Sequence, residues 1–159
     1  MSIDPAFLGR HEITTSDAME NFGLRIGEQL QAGDLIVLTG PLGAGKTTFT
    51  RGLAEGLGVR GPVQSPTFVI ARTHPSLIEG PPLVHVDAYR LGSAAELDDL
   101  DIDFSRSVVV IEWGRPMASA IADSWWDIEL VRPVGGADIA DEDLDADAPR
   151  VVTVERVTG

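Results

Sequence analysis

Cysteine is absent from this chain of 159 residues, and this absence excludes disulfide bonds and thiolate-ligated metal sites. No apolar run approaches the ~20 residues that a membrane-spanning helix requires. Residues 1–10 have neither the basic stretch nor the apolar core of a signal peptide. We therefore expect a protein of the reducing cytoplasm without a membrane association.

Basic residues are scarce, since 12 Lys and Arg face 25 Asp and Glu, for a net charge of −13. Binding to a nucleic-acid backbone requires a basic face, so this balance argues against direct contact with nucleic acid. The segment 138–147 is especially acidic, although the rest of the chain is acidic without it. Hydrophobic residues make up 43% of the chain, enough for a core, and we predict a single domain over residues 1–159.

Glycine, by contrast, is plentiful, and three of the 17 glycines lie in one informative run. Residues 40–47 read Gly-Pro-Leu-Gly-Ala-Gly-Lys-Thr and match the phosphate-binding P-loop pattern G-x-x-x-x-G-K-[ST]. Glycines let the backbone N–H groups surround a polyphosphate, while Lys46 would reach the β- and γ-phosphates and Thr47 would ligate Mg²⁺. A chance match is disfavoured because a strand-like run, Asp34–Thr39, precedes the motif and a helical pattern, Thr47–Leu57, follows it.

The rest of the chain alternates between helical and extended patterns. An N-terminal strand, His11–Thr15, is followed by a helix that we predict to be capped by Ser16 and closed by Gly33. Further strands are predicted at Phe68–Arg72, Leu83–Asp87 and Ser107–Trp113, with a loop or hairpin tip at 73–82 and short helical turns at 94–100 and 117–122. A hairpin, Trp126–Arg132 and Arg150–Val157, would enclose the acidic segment as a solvated loop. This order predicts an α/β fold of the P-loop NTPase type, with a mainly parallel sheet flanked by helices and antiparallel strands added near the C-terminus.

Two carboxylates, Asp87 and Glu112, stand at the ends of predicted core strands. Ligands of open α/β sheets bind at the carboxyl ends of the strands, so both are candidates for the site, although each could merely cap its strand. Asp87 is the better Mg²⁺ ligand and Glu112 the better group to orient the attacking water, and these roles could be exchanged. Trp113 would stack on the adenine or serve as a core aromatic residue.

Three further positions have open interpretations. Ser65 and Thr67 lie in a proline-flanked loop that could act as a γ-phosphate switch or be an ordinary turn. Arg90 could stabilise phosphate charge or pair with a surface acid. His85 points to the same face as Asp87 and could be a core histidine without a chemical role.

Four segments together resemble the TsaE family, formerly YjeE, over roughly residues 10 to 132. They are residues 40–48, the Ser-Pro-Thr-Phe of 65–68, the His-Val-Asp-Ala-Tyr-Arg-Leu of 85–91 and the Ile-Glu-Trp of 111–113. The resemblance implies a cytoplasmic ATPase that binds ATP and Mg²⁺ and hydrolyses ATP slowly to ADP. It also implies that the protein acts on TsaD and TsaB, the proteins that assemble threonylcarbamoyladenosine at position 37 of tRNA, and that it meets tRNA only through that complex.

By position, the resemblance makes Glu112 and Lys46 catalytic, Thr47, Asp87 and Glu112 metal ligands, and Ser65 and Thr67 switch-like. The nucleotide-binding set would be Gly40, Leu42, Gly43, Ala44, Gly45, Lys46, Thr47, Thr48 and Trp113. A small-molecule P-loop kinase is the alternative function, but residues 133–149 contain no arginine or lysine for a lid over the phosphates. A nucleotide sensor that does not hydrolyse ATP is a third possibility, and Glu112 argues against it.

Overall fold

One β-sheet organises the structure, a computed structural model that describes residues 3–41, 45–59, 61, 71–88, 96, 100–131 and 149–158. Within these residues the strands are β1 Gly9–Ile13, β2 Leu35–Thr39, β3 Ala71–His74, β4 Leu83–Asp87, β5 Val108–Glu112, β6 Ser124–Val131 and β7 Arg150–Thr158. Their order across the sheet is β1-β7-β6-β2-β5-β4-β3. The P-loop strand β2 is therefore central, with β5 and β6 as its neighbours.

The middle of this sheet is parallel and both sides of it are antiparallel. β2 runs parallel to β5 and to β6, and β4 runs parallel to β5. β7 is antiparallel to β6 and to β1, and β3 is antiparallel to β4. The predicted fold class is confirmed. The structure adds that β6, the first strand of the predicted hairpin, also pairs in parallel with β2, and that β3 forms an antiparallel edge strand beside β4.

Two helices pack against each other so closely that their backbones are in contact. They are α1 Ser16–Gly27 and α2 Lys46–Leu57. A Cβ atom added to any of four glycines would lie only 1.9 to 2.2 Å from a carbonyl oxygen of the facing helix. These glycines are Gly23 and Gly27 in α1 and Gly52 and Gly56 in α2. Because only glycine permits this approach, the two helices form a unit, and Lys46 at the start of α2 is positioned by it.

The two faces of the sheet have separate cores. On one face, α1 and α2 cover apolar side chains of the central strands, including Leu38, Val110 and Trp126. On the other face, Val37 and Ile111 are covered by short elements, the 3₁₀ turn η2 at Arg115–Met117 and the helix α3 at Ala118–Ile121. A second 3₁₀ turn, η1 at Pro5–Phe7, precedes β1.

Several predicted boundaries were wrong. Thr15, not Ser16, caps α1, because its Oγ1 accepts a hydrogen bond from the Ala18 N–H at 3.0 Å. The helix ends at Gly27 rather than at Gly33, which instead turns the chain into β2 with a φ of 96°. β1 ends at Ile13, and β3 continues to His74 into the segment predicted as a loop.

Other predictions fall on residues outside the described ranges. These are the strand residues 68–70, most of the helical turn at 94–100 and the acidic segment 138–147. Of the helices that the structure describes, none is long and apolar enough to cross a membrane.

Candidate functional site

The P-loop sequence connects the central strand β2 to helix α2, as the motif requires. Gly45, the residue before α2, has a φ of 99°, and its carbonyl oxygen accepts the Phe49 N–H at 2.9 Å. This left-handed conformation explains a glycine at that position, because a Cβ atom would strain it. Lys46 is the first residue of the helix, so its side chain starts beside the positive end of the helix dipole. Residues 42–44, the predicted contacts Leu42, Gly43 and Ala44, lie outside the described ranges.

The two strand-terminal carboxylates lie side by side. Asp87 at the end of β4 and Glu112 at the end of β5 are register partners, and Glu112 is also paired with Leu38 of β2. Val108 and Val110 of β5 pack in the core beneath α1 and α2, so Glu112, two residues further on, faces the same side. The carboxyl edge of the parallel strands thus brings both acids to the start of α2.

Glu112 is the most connected side chain of this group. Its Oε1 lies 3.3 Å from the Lys46 Nζ, and its Oε2 lies 2.6 Å from the His85 Nε2. Burial alone raises the pKa of Glu112, but the hydrogen bonds and the electrostatic attraction of His85 and Lys46 outweigh it, so the pKa lies below its ordinary value. Glu112 is therefore ionised at neutral pH.

Trp113 lies directly over Lys46, with the Nζ 4.6 Å from the ring centroid. The residue is 36% exposed and so is not a core aromatic. Its φ is 62°, which is unusual for a residue with a side chain, and its N–H donates to the Leu38 carbonyl oxygen at 3.0 Å. Such a conformation is strained and persists only where the surrounding structure compensates for the strain. Residues of this kind are concentrated at functional sites. Stacking of Trp113 on a nucleotide base stays a prediction.

The donor set fits a magnesium ion that is shared with a nucleotide. Mg²⁺ in such sites is bound by one or two carboxylates, with phosphate oxygens and water completing the shell. Asp87 and Glu112 supply adjacent carboxylates, and Thr47 is an exposed hydroxyl in the first turn of α2. Among the described residues, no cluster of three or more Asp, Glu, His or Cys side chains could hold a metal ion unaided. The phosphates would therefore have to contribute ligands.

Sequence reasoning missed an arginine clamp at the same edge of the sheet. Arg115 donates to Asp127 through its Nε at 2.9 Å and its Nη2 at 2.7 Å, and to Glu129 through its Nη1 at 3.2 Å. Hydrogen bonding of its guanidinium to the Asp127 carboxylate is the main reason that the pKa of Arg115 is raised above its ordinary value. The clamp joins the turn after Trp113 to β6, on the face of the sheet opposite α2. A lone acid in the apolar run of residues 125–128 was the signal that could have indicated it.

Of the remaining predicted residues, the structure describes Gly40, Thr48 and His85. Gly40 directly follows β2, and Thr48 is a half-buried residue of α2 whose contact with a nucleotide is untested. Ser65, Thr67 and Arg90 lie outside the described residues. His85 is in the site through its bond to Glu112, which the sequence did not reveal.

The central parallel strands, the glycine turn into α2 and the carboxylates at the strand ends define a P-loop NTPase-like fold. The crystal structure of Bacillus subtilis YdiB matches it with a TM-score of 0.66, at 27% identity, over 94% of this chain and 85% of that one. A family model described as threonylcarbamoyl adenosine biosynthesis protein TsaE matches residues 13–135. The chain belongs to the TsaE family, so the predicted resemblance is confirmed.

Two relatives, from Streptomyces coelicolor and Mycobacterium leprae, are similar to this chain over most of their length. The chain is 58% identical over 127 residues to a protein of Streptomyces coelicolor, covering 78% of this chain and 84% of the relative. It is 50% identical over 119 residues to a protein of Mycobacterium leprae, covering 69% of this chain and 74% of the relative. Both are named tRNA threonylcarbamoyladenosine biosynthesis protein TsaE.

Proposed function

We propose that this protein is a cytoplasmic ATPase of tRNA threonylcarbamoyladenosine synthesis, which binds ATP and Mg²⁺ and hydrolyses ATP slowly in support of a TsaB–TsaD complex. The observation that carries the proposal is the ion pair of 3.3 Å between Lys46 at the start of α2 and Glu112 at the end of β5. It joins the lysine of the P-loop motif to a carboxylate that would orient the attacking water. The family membership supports the biological role.

Lys46 has to exchange partners for ATP to bind. Its ammonium contacts the Glu112 carboxylate at 3.3 Å and lies 4.6 Å from the centroid of the Trp113 ring. The β- and γ-phosphates compete for the same ammonium, and their greater charge favours them. Binding would therefore release the Oε1 of Glu112 towards the γ-phosphate side of the site.

Glu112 is then available to orient the attacking water. Its carboxylate is ionised at neutral pH, so it can accept a hydrogen bond from the attacking water. Bound Mg²⁺ would neutralise charge on the phosphates, with Asp87 and Thr47 as the side chains that hold it.

The acidic character of the chain supports an indirect relation to tRNA. A net charge of −13 disfavours contact with an RNA backbone, so the partner proteins rather than the tRNA would receive the effect of ATP hydrolysis.

The test is phosphate release from ATP·Mg²⁺ by the purified protein, alone and with TsaB and TsaD. We expect slow release that rises with the partners, loss of nucleotide binding in Lys46→Met, and retained binding with turnover reduced about 100-fold or more in Glu112→Gln. Glu55→Gln, an exposed acid of α2, is the control and should match the wild type.

Three outcomes of these assays would contradict the proposed function. Phosphate release that ignores both partners would refute the accessory role, and a phosphorylated acceptor without free phosphate would indicate a kinase. Normal turnover in Lys46→Met would refute the site itself.

A further inference from the structure

His85 is a buried histidine directed at the candidate catalytic carboxylate. It lies in the middle of β4 with 1% exposure and is the register partner of Val110, two residues before Glu112. A diagonal pair on adjacent strands is within reach of long side chains, and the His85 Nε2 lies 2.6 Å from the Glu112 Oε2. Because an ionised carboxylate can only accept hydrogen bonds, Nε2 carries the proton of this bond.

The two oxygens of Glu112 therefore have partners of different kinds. Oε2 is bound by His85, whose ring is enclosed in the sheet core and whose Nδ1 has no hydrogen-bond partner in the described part of the chain. Oε1 is bound by Lys46, whose side chain is long and starts from a helix terminus. ATP binding requires Lys46 to leave, whereas nothing in that event requires His85 to move.

We propose that His85 is a positioning residue: it holds the Oε2 of Glu112 in place when Lys46 transfers to the phosphates, so that Oε1 is the oxygen presented to the attacking water. The proposal rests on the proposed ATPase function. It explains why a histidine whose Nδ1 has no partner among the described residues is buried beside the site, where an apolar residue would pack without that cost.

Without this bond the Glu112 carboxylate is free to rotate or to follow the Lys46 ammonium. The orientation of the water would then be lost, while the phosphate contacts of the P-loop would remain. The effect should therefore fall on kcat and not on KM. Loss of a residue that orients a metal-ligating side chain through a hydrogen bond typically costs 10- to 100-fold in affinity or activity, and we expect a loss in this range for the orientation of Glu112.

Two substitutions of nearly equal shape separate the hydrogen bond from packing. In His85→Gln the side-chain amide N–H extends about as far as the imidazole Nε2 and can still donate, whereas His85→Met fills similar space without a donor. We expect His85→Met to lower kcat for ATP hydrolysis at least 10-fold with KM changed less than 3-fold, and His85→Gln to stay within 3-fold of the wild type. Equal losses in both variants, or no loss in either, would overturn the proposal.

A second measurement requires no turnover and uses the wild-type protein. The chain contains three histidines, so the ¹⁵N-labelled imidazole spectrum is simple to assign. We expect a hydrogen-bonded Nε2–H signal of His85 that resists solvent exchange, vanishes in Glu112→Ala, and persists when a non-hydrolysable ATP analogue binds with Mg²⁺. Disappearance of the signal on analogue binding would overturn the proposal, because His85 would then not hold Glu112 in the loaded site.

The two measurements also separate this proposal from the proposed function. If the wild-type protein releases no phosphate even with TsaB and TsaD, the ATPase function fails, and the imidazole spectrum alone then decides whether His85 positions Glu112.

Discussion

Because the backbones of α1 and α2 are in contact, we predict that Gly52→Ala lowers the free energy of unfolding, whereas the same substitution in most helices raises it. In the interior of an exposed helix, replacing glycine by alanine stabilises a protein by about 1 kcal/mol, because alanine loses less backbone entropy. Here the new Cβ would lie 1.9 Å from the Glu20 carbonyl oxygen and 2.8 Å from its carbonyl carbon. The atoms that it meets belong to backbone, so no side chain can rotate to make room.

The cost follows from the movement that the new methyl group would force. To reach an allowed contact distance α1 and α2 would have to separate by about 1 Å, and overpacking of this kind costs about 1–3 kcal/mol or more. The separation would also loosen Phe49 and Leu53, which are fully buried between the helices and the sheet. After the helix-propensity gain, we expect a net loss of about 2 kcal/mol in the free energy of unfolding.

Urea titration followed by circular dichroism measures this loss. For a slope of about 2 kcal/mol per molar urea, the midpoint should fall by about 1 M, and the melting temperature by about 6 °C. Arg51→Ala, an exposed change at the neighbouring position of α2, is the control and should stay within about 0.5 kcal/mol. A Gly52→Ala protein as stable as the wild type would refute the backbone contact between the helices.

Three further predictions concern single contacts, each measured by unfolding. Because the pKa of Glu112 is lowered from 4.5, its ionised form stabilises the fold above that pH, and this stability is lost as pH falls below 4.5 through the lowered pKa. Glu112→Gln should therefore lose less stability than the wild type as the solution is acidified from neutral pH to below 4.5, and equal slopes of stability against pH would contradict the lowered pKa. Asp127→Asn should cost about 1–3 kcal/mol by breaking the Arg115 clamp, whereas Asp103→Asn, in an exposed ion pair, should cost less than about 0.5 kcal/mol. Comparable losses in these two variants would count against the clamp. Thr15→Ala should cost about 1 kcal/mol through loss of the α1 cap, and Thr15→Ser should restore it; a silent Thr15→Ala would exclude the cap.

Local sequence was sufficient for the P-loop and for most of the strands around it. The motif is contiguous, and its glycine, lysine and following helical pattern describe one turn of chain, so Gly45 and Lys46 could be placed without tertiary information. The meeting of Asp87 and Glu112 was also predictable, because parallel strands share a carboxyl edge. Their chemical roles stay predictions.

The errors concern features that adjacent residues satisfy equally well. Thr15 and Ser16 both carry a hydroxyl, and only the extended backbone of Thr15, with φ −136° and ψ 162°, selects it as the cap. A glycine such as Gly33 suits the position after the end of a helix as well as a turn before a strand, so its position alone did not decide between the two. The edge strand β3 is short and exposed in its middle, so its first two residues were predicted as strand but Thr73 and His74 as loop.

The sequence by itself determined that a turn with the P-loop sequence pattern stands between a buried strand and a helix, since every residue of that unit is a neighbour in the chain. The tertiary structure decided how the unit is completed. The bond from His85 to Glu112, the clamp of Arg115 on Asp127 and the glycine contact of α1 with α2 each join separate elements of the chain. Such contacts depend on strand register and helix packing, because a shift of one residue would turn His85 away from Glu112 to the other face of the sheet.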